Sequence, residues 1–298
     1  MNDMSQSPGD ELTAEQQWAQ FSTLATADDY VSSLRGRNLN VYLLGERVDE
    51  PVDHPIIRPS INAMAESYQL AEDDPDLATA WSSISEQQIN RFLHVPESSL
   101  DLVQKNKMQR RMGQLTGTCF QRCAGLDTLS VLFSITYDID KQHGTSYHER
   151  FVSFLKKAQS HNLIVGAGMT DPKGDRSKRP SNQSDPDLFM HVTRRTKEGL
   201  YVKGAKAHMT GGLNSHWICV MPTMNMLEAD KDYAVIGMVP ATAPGLTYVY
   251  GRQSCDTRAL EPGDIDKGNA KYGGQETLVI FDDVFIPWAH VLMDGEYE

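Results

Sequence analysis

The stretch Asn162-Leu-Ile-Val-Gly-Ala-Gly-Met-Thr-Asp-Pro-Lys-Gly-Asp-Arg176 divides the chain into two textures. From Gly166 to Pro186, three glycines and three prolines fall within 21 positions, a density that no continuing helix tolerates. Upstream, Ser98 to Lys141 contains no proline and carries apolar residues in a helical rhythm, with Ser98 or Ser99 placed to cap it. This run reads as one long helix broken near Gly113 or Gly117. Tyr147 to Gln159 puts Phe151, Phe154, Leu155 and Ala158 on one helical face. Further back, Ala27 opens a short helix beside Asp28 and Asp29. Pro51, Pro55 and Pro59 punctuate a loop, and Ser60 precedes a helix carrying Met64, Tyr68 and Leu70.

Downstream the period changes. Gly199 to His208, His216 to Met224, Tyr233 to Val239, Leu246 to Arg252 and Glu276 to Ile286 are rich in Val, Ile and Tyr and are separated by turn residues. Helices first and strands second is α+β order rather than βαβ alternation. The expected architecture is a mobile acidic tail (residues 1–24), an N-terminal helical domain (25–163) and an antiparallel β-barrel or sandwich domain (164–298).

Composition narrows the function. The 298 residues are 40% hydrophobic and carry 28 Lys+Arg against 40 Asp+Glu, a formal charge of −12. That balance argues against nucleic acid, whose phosphates require clustered cations. No run of ~18 apolar residues suggests a membrane span, and the N-terminus lacks the basic and apolar regions of a signal peptide. A cytoplasmic protein is expected. Four cysteines are too sparse for a disulfide scaffold.

There is no Walker sequence, no HExxH, no GxSxG and no zinc-type CxxC pair. Gly166-Ala-Gly168 begins like a dinucleotide fingerprint but lacks the third glycine and a surrounding βαβ unit. Cys119 and Cys123, in Gly117-Thr-Cys-Phe-Gln-Arg-Cys-Ala-Gly125, would stack two thiolates on one helix face at i, i+4. They are read either as metal ligands or as two small buried hydrophobes, since two ligands complete neither a tetrahedral site nor an iron–sulfur cluster. Cys219 reads as core, and the role of Cys255 stays open.

The loop Met169, Thr170, Asp171, Pro172, Lys173, Gly174, Asp175, Arg176 offers backbone N–H groups and a hydroxyl to a planar heterocycle, with Lys173 or Arg176 facing phosphate. The same residues also make an ordinary turn. His208 is either a proton carrier or a structural strand residue, and Thr210 before two glycines allows close approach to a flat ligand. Glu276, opening the last long strand after Gly273 and Gly274, is either a general acid–base or a solvated strand-end acid.

Eight blocks, in this order, carry a family resemblance: HPIIRPSIN, KMQRRMGQLTGTCFQRCAG, GMTDPKGDR, KGAKAHMTG, NSHWICVMPT, EADKDYAV, YGRQSCDTR and GGQETLVIFDDVFIP. From about residue 28 to residue 298 the sequence resembles the 4-hydroxybutyryl-CoA dehydratases. These belong to the group that includes the 4-hydroxyphenylacetate 3-monooxygenases and is built on the acyl-CoA dehydrogenase fold. The resemblance implies reversible dehydration of 4-hydroxybutyryl-CoA to crotonyl-CoA with vinylacetyl-CoA Δ-isomerase activity, using FAD and a [4Fe-4S] cluster.

It further implies that Cys119 and Cys123 are two cluster ligands and that Met169 to Arg176 form one flavin loop. A second flavin loop would comprise His208, Met209, Thr210 and Gly211, with Glu276 as the active-site acid or base. The monooxygenase relatives carry a cysteine-free pattern at the Cys pair, so Phe120-Gln-Arg-Cys123 discriminates between the two. The remaining cluster ligands, a His and a third Cys, and a C-terminal helical domain are expected just past a segment like Met293-Asp-Gly-Glu-Tyr-Glu298. The chain is accordingly expected to be a fragment or one half of a split enzyme, acting as a homo-oligomer or with a chain that supplies the helical domain. The alternatives are a reduced-flavin phenol monooxygenase and a catalytically silent subunit.

Overall fold

The computed structural model describes residues 11–251 and 270–297. Seven helices lie before Asn162: α1 (Ala14–Ala19), α2 (Ala27–Ser33), α3 (Arg58–Asp73), α4 (Pro75–Ala78), α5 (Ser99–Thr116), α6 (Cys123–His143) and α7 (Tyr147–His161). Four short strands are set among them: β1 (Asn40–Leu43), β2 (Glu46–Arg47), β3 (Thr79–Ser82) and β4 (Gln87–Asn90). Then follow β5 (Val165–Gly168), β6 (His191–Arg195), β7 (Gly199–Thr210), β8 (Trp217–Val220), β9 (Val235–Pro240), β10 (Leu246–Tyr250), β11 (Glu276–Pro287) and β12 (Val291–Asp294). The fold is α+β, as the order of textures implies. Cys219, read as core, is fully buried in β8, and Cys255, whose role the sequence leaves open, lies outside the described residues.

A six-stranded sheet runs β2-β1-β10-β11-β7-β6 and a four-stranded sheet runs β12-β9-β8-β5. Their strands are mostly antiparallel, but β1 joins β10 in parallel from Asn40↔Thr247 to Leu43↔Tyr250, and β5 joins β8 in parallel from Val165↔Trp217 to Gly168↔Val220. The sheets are therefore mixed where a wholly antiparallel set was expected. Parallel neighbours need long crossovers, and the helical region between β1 and β10 and the β6–β7 excursion between β5 and β8 supply them.

The α5–α6 region breaks where glycine allows it. α5 ends at Gly117, whose φ of 63° closes the helix with a Gly117 N–H bond to the Gly113 carbonyl. α6 then packs on β5 through Gly125, where a Cβ would stand 1.8 Å from the Val165 carbonyl oxygen. Only glycine permits that approach.

Thr13 to Leu24, expected as part of a mobile tail, is instead built into the core. Thr13 and Gln16 form a reciprocal capping box at the start of α1. A helix of six residues is not stable alone, so the anchor is Trp18, only 6% exposed, whose ring lies 4.7 Å from that of Trp217 and 5.1 Å from that of Phe154. Burying one such side chain contributes roughly 2–3 kcal/mol. Acidic composition concealed one well-placed tryptophan. Trp217 of β8, Phe154 of α7 and His290 also contact one another, so helices and sheets share a continuous hydrophobic core. Among the described residues no helix is long and apolar enough to cross a membrane.

Candidate functional site

The site is assembled where β7 and β11 meet. Glu276 pairs with Thr210 and Thr277 with Met209, but Val279 pairs with Lys206, so β7 carries one extra residue across Ala207 and His208. This bulge holds His208 at φ 51°, a conformation a β-strand does not otherwise use. It also frees the Ala207 N–H, which donates instead to the Thr170 carbonyl at 2.7 Å. One bulge therefore joins two segments that lie far apart in sequence.

At the end of the pair, the Thr210 hydroxyl donates to the Glu276 carboxylate, lying 2.8 and 2.9 Å from its two oxygens. Partial burial raises the Glu276 carboxyl above the ordinary range, against the opposing pull of the Thr210 hydroxyl and of His208. A carboxyl raised in this way, at the open end of a strand, is placed to accept and return a proton.

Cys119 and Cys123 are brought together, though not by the helix geometry that the spacing suggests. Cys119 lies in the turn after α5, and Cys123 is the first residue of α6. Gln121 between them takes φ 62°, which bends the chain and brings the two thiols near enough to shift each other's ionisation. The neighbouring Cys123 side chain lowers the Cys119 thiol to about 6, with the Gln121 backbone adding to the effect. The Cys123 thiol is itself pushed strongly upward by the Cys119 side chain and by burial. Burial and the negative charge of Glu276 act the other way on Cys119, raising its thiol. Among the described residues no set of three or more His, Cys, Asp or Glu side chains is gathered for a metal ion.

Sequence reasoning missed the framework that seats the cysteine turn. Gln121 donates to the Gly273 carbonyl at 3.1 Å, and its own amide oxygen accepts from Asn214 at 3.2 Å. Asn214 also donates to Ser60 at 2.8 Å, and Ser60 to Gln275 at 2.8 Å. The Gly274 N–H donates to the Thr118 hydroxyl at 3.0 Å, and a Cβ on Gly274 would stand 3.0 Å from the Cβ of Cys119. The residues immediately before Glu276 are thus locked to the residues that flank Cys119.

The Met169–Arg176 loop divides by role. Met169 is exposed, as are Lys173, Gly174, Asp175 and Arg176, while Thr170 and Pro172 are half-buried. Asp171 turns inward at 3% exposure, where Lys206 donates to it at 2.7 Å. Lys206 is 1% exposed, and its remaining protons go to the Met169 carbonyl at 3.0 Å and the Met221 carbonyl at 2.9 Å. Burial alone would neutralise both members, but the pairing opposes this on each side. Strand alternation carries a signal for Lys206, since it follows Val202 and Gly204 on the inward face of β7. In the second segment the Met209 side chain fills the core, Gly211 is buried, Thr210 is half-buried and His208 is exposed.

A family model described as 4-hydroxyphenylacetate 3-hydroxylase, N terminal, matches residues 26–293. The chain is 52% identical over 278 residues to a 4-hydroxybutyryl-CoA dehydratase/vinylacetyl-CoA-Δ-isomerase of Clostridium aminobutyricum, covering 92% of this chain and 57% of that protein. A solved oxygen-tolerant archaeal 4-hydroxybutyryl-CoA dehydratase from N. maritimus superposes with a TM-score of 0.90 at 61% identity, covering 93% of this chain and 55% of that one. The oxygenase component of 4-hydroxyphenylacetate 3-monooxygenase, solved with FAD, shares the fold at a TM-score of 0.76 and 22% identity, covering 92% and 56%. The chain therefore spans a little over half the length of these relatives.

Proposed function

The chain belongs to the 4-hydroxyphenylacetate 3-hydroxylase N-terminal family, and from that premise we propose that it is the flavin- and cluster-binding portion of a 4-hydroxybutyryl-CoA dehydratase/vinylacetyl-CoA Δ-isomerase. One observation carries the reading: the turn that holds Cys119 and Cys123 packs against Gly274, two residues before the Glu276 that Thr210 binds. Identity of 52% to a dehydratase, against 25% to a monooxygenase oxygenase component from Thermus thermophilus, supports dehydration over phenol hydroxylation.

The donor set fits the two groups that the reaction requires. Soft thiolates are iron–sulfur ligands, and one of the two thiols is already held toward its thiolate form. Cys119 and Cys123 would supply half of the cluster's four ligands, with the others contributed from outside residues 1–298. FAD would lie along Met169 to Arg176 and His208 to Gly211, where exposed Lys173 and Arg176 suit phosphate and the half-buried Thr210 beside Gly211 suits a flat ring. When bound, these groups supply redox activation of a non-acidic C–H bond and Lewis-acid assistance to a leaving hydroxyl.

The chain's own part is to place and move a proton. Glu276 holds it on a carboxyl of raised affinity, and Thr210 fixes that carboxyl by donating to it. His208, aimed by the bulge, adds positive character on protonation and favours the carboxylate. The substrate is a CoA thioester, and the proposed setting is a cytoplasmic homo-oligomer or an association with a chain that supplies the remaining helical domain.

The test is anaerobic assembly with a polypeptide covering the part of the relatives' length that these residues do not span, followed by iron, sulfide and FAD analysis. Replacing Cys119 or Cys123 by Ala should abolish iron incorporation and dehydration while FAD binding survives. Normal iron content in both variants would refute the assignment. Phenol-dependent oxygen consumption by a cluster-free preparation would favour the monooxygenase reading, and no dehydratase activity on adding that polypeptide would favour a silent subunit.

A further inference from the structure

We propose that Lys206 is a positioning residue that fixes the Met169–Arg176 and His208–Gly211 segments against each other and so sets the shape of the surface they present. The proposal rests on the flavin reading only in taking those segments as ligand-facing.

The ammonium touches three acceptors: Asp171 Oδ1 at 2.7 Å, the Met169 carbonyl at 3.0 Å and the Met221 carbonyl at 2.9 Å. The two carbonyls can only accept, and Asp171 as a carboxylate takes the third N–H, so in the charged pair every ammonium proton is used. Buried at 1% exposure and tied to three fixed acceptors, Lys206 does not reach the surface that the two segments present.

Its partners define its task. Met169 and Met221 directly follow the last ladder pair of the parallel strands β5 and β8, Gly168↔Val220. Their carbonyls leave the ladder there, and Lys206 reaches them from the other sheet. The next residue, Ala207, has its N–H released by the bulge and binds the Thr170 carbonyl at 2.7 Å. Lys206 and Ala207 together therefore hold Met169, Thr170 and Asp171 in succession, and the following residue, His208, begins the second segment. A buried ion pair is a poor source of stability, because an apolar pair of similar volume commonly serves as well. What an apolar pair cannot do is bind two carbonyls at the ends of different strands. The geometry points to placement as the task of this lysine.

Amide hydrogen exchange and FAD titration of the 298-residue chain, for wild type, Lys206→Met and Asp171→Leu/Lys206→Met, test this. The double variant buries no unpaired charge and is decisive if the single variant does not fold. Positioning predicts that exchange at Ala207 and Met221, whose N–H groups bond the Thr170 and Gly168 carbonyls beside Lys206, quickens by roughly tenfold or more in both variants while the amides of β9 and β10 keep their protection. FAD affinity falls in parallel, with the urea midpoint of the β core unchanged in the double variant. Wild-type loop protection in the double variant would overturn the proposal, since the pair would then serve only to balance charge. If wild type binds no FAD but the loops still loosen selectively, the flavin reading fails and the positioning role stands.

Discussion

Acidification should unseat the N-terminal helix through His290. Its Nε2 accepts the indole N–H of Trp18 at 3.1 Å, and its Nδ1–H donates to Gln17 Oε1 at 2.8 Å, so the neutral ring is fully used. Burial, with Lys157 adding to it, pushes this histidine down to about 3 from an ordinary 6.5. In the unfolded chain the ring protonates near 6.5, and in the folded chain it does not. Protonation therefore favours unfolding, and the stability present above pH 6.5 is lost as pH falls toward 3. The linkage amounts to ~1.4 kcal/mol per pH unit within that window, or ~2 kcal/mol at pH 5. His216, buried between Ser33 and the Ile164 N–H and also held well below its usual value, adds a second loss of the same sign. The carboxylates held low by hydrogen bonds, such as Asp140 and Asp230, weaken only below about 3.8, which is under the lower pH of the assay. The assay is urea unfolding at pH 7.5 and pH 5 followed by tryptophan fluorescence, because Trp18 and Trp217 both contact the His290 ring. His290→Gln keeps one acceptor and one donor but cannot titrate, so it should lose ~2 kcal/mol less than wild type between the two pH values. An equal loss in both proteins would refute the reasoning.

Two further perturbations follow from contacts around the site. Gly125→Ala places a methyl 1.8 Å from the Val165 carbonyl, so α6 must move off β5. Overpacking should outweigh the better helix propensity of alanine by on the order of 2 kcal/mol, and an unchanged thermal midpoint would contradict the packing described. Thr210→Val removes the donor to Glu276 and should move that carboxyl further upward, which a carbon-13 titration of the glutamate reads directly. A downward movement would show that the hydroxyl does not act as the donor.

The division at Asn162 was legible because proline and glycine change the local energetics of the chain whatever surrounds it. The same holds for the break after Thr116, where a glycine closes α5, and for β7 and β11, whose alternation survives in the fold. The order of Trp18 was not legible, because its burial depends on Trp217 and His290, some 200 and 270 residues away. Nor was the parallel addition of β1 to β10, since a four-residue strand carries no signal about its partner.

The sequence alone determined the α+β order and the chemical inventory: two cysteines four residues apart, a Gly-rich loop with cations and a glutamate after two glycines. Local backbone preference and side-chain type suffice for those. Tertiary structure decided how the inventory is used. It replaced a helical cysteine pair with a turn bent at Gln121, turned Asp171 inward onto Lys206, and left Lys173 and Arg176 outside. The reason is that hydrogen bonding and burial are settled by neighbours distant in the chain. A bulge that frees a single N–H on β7 therefore matters as much as any motif.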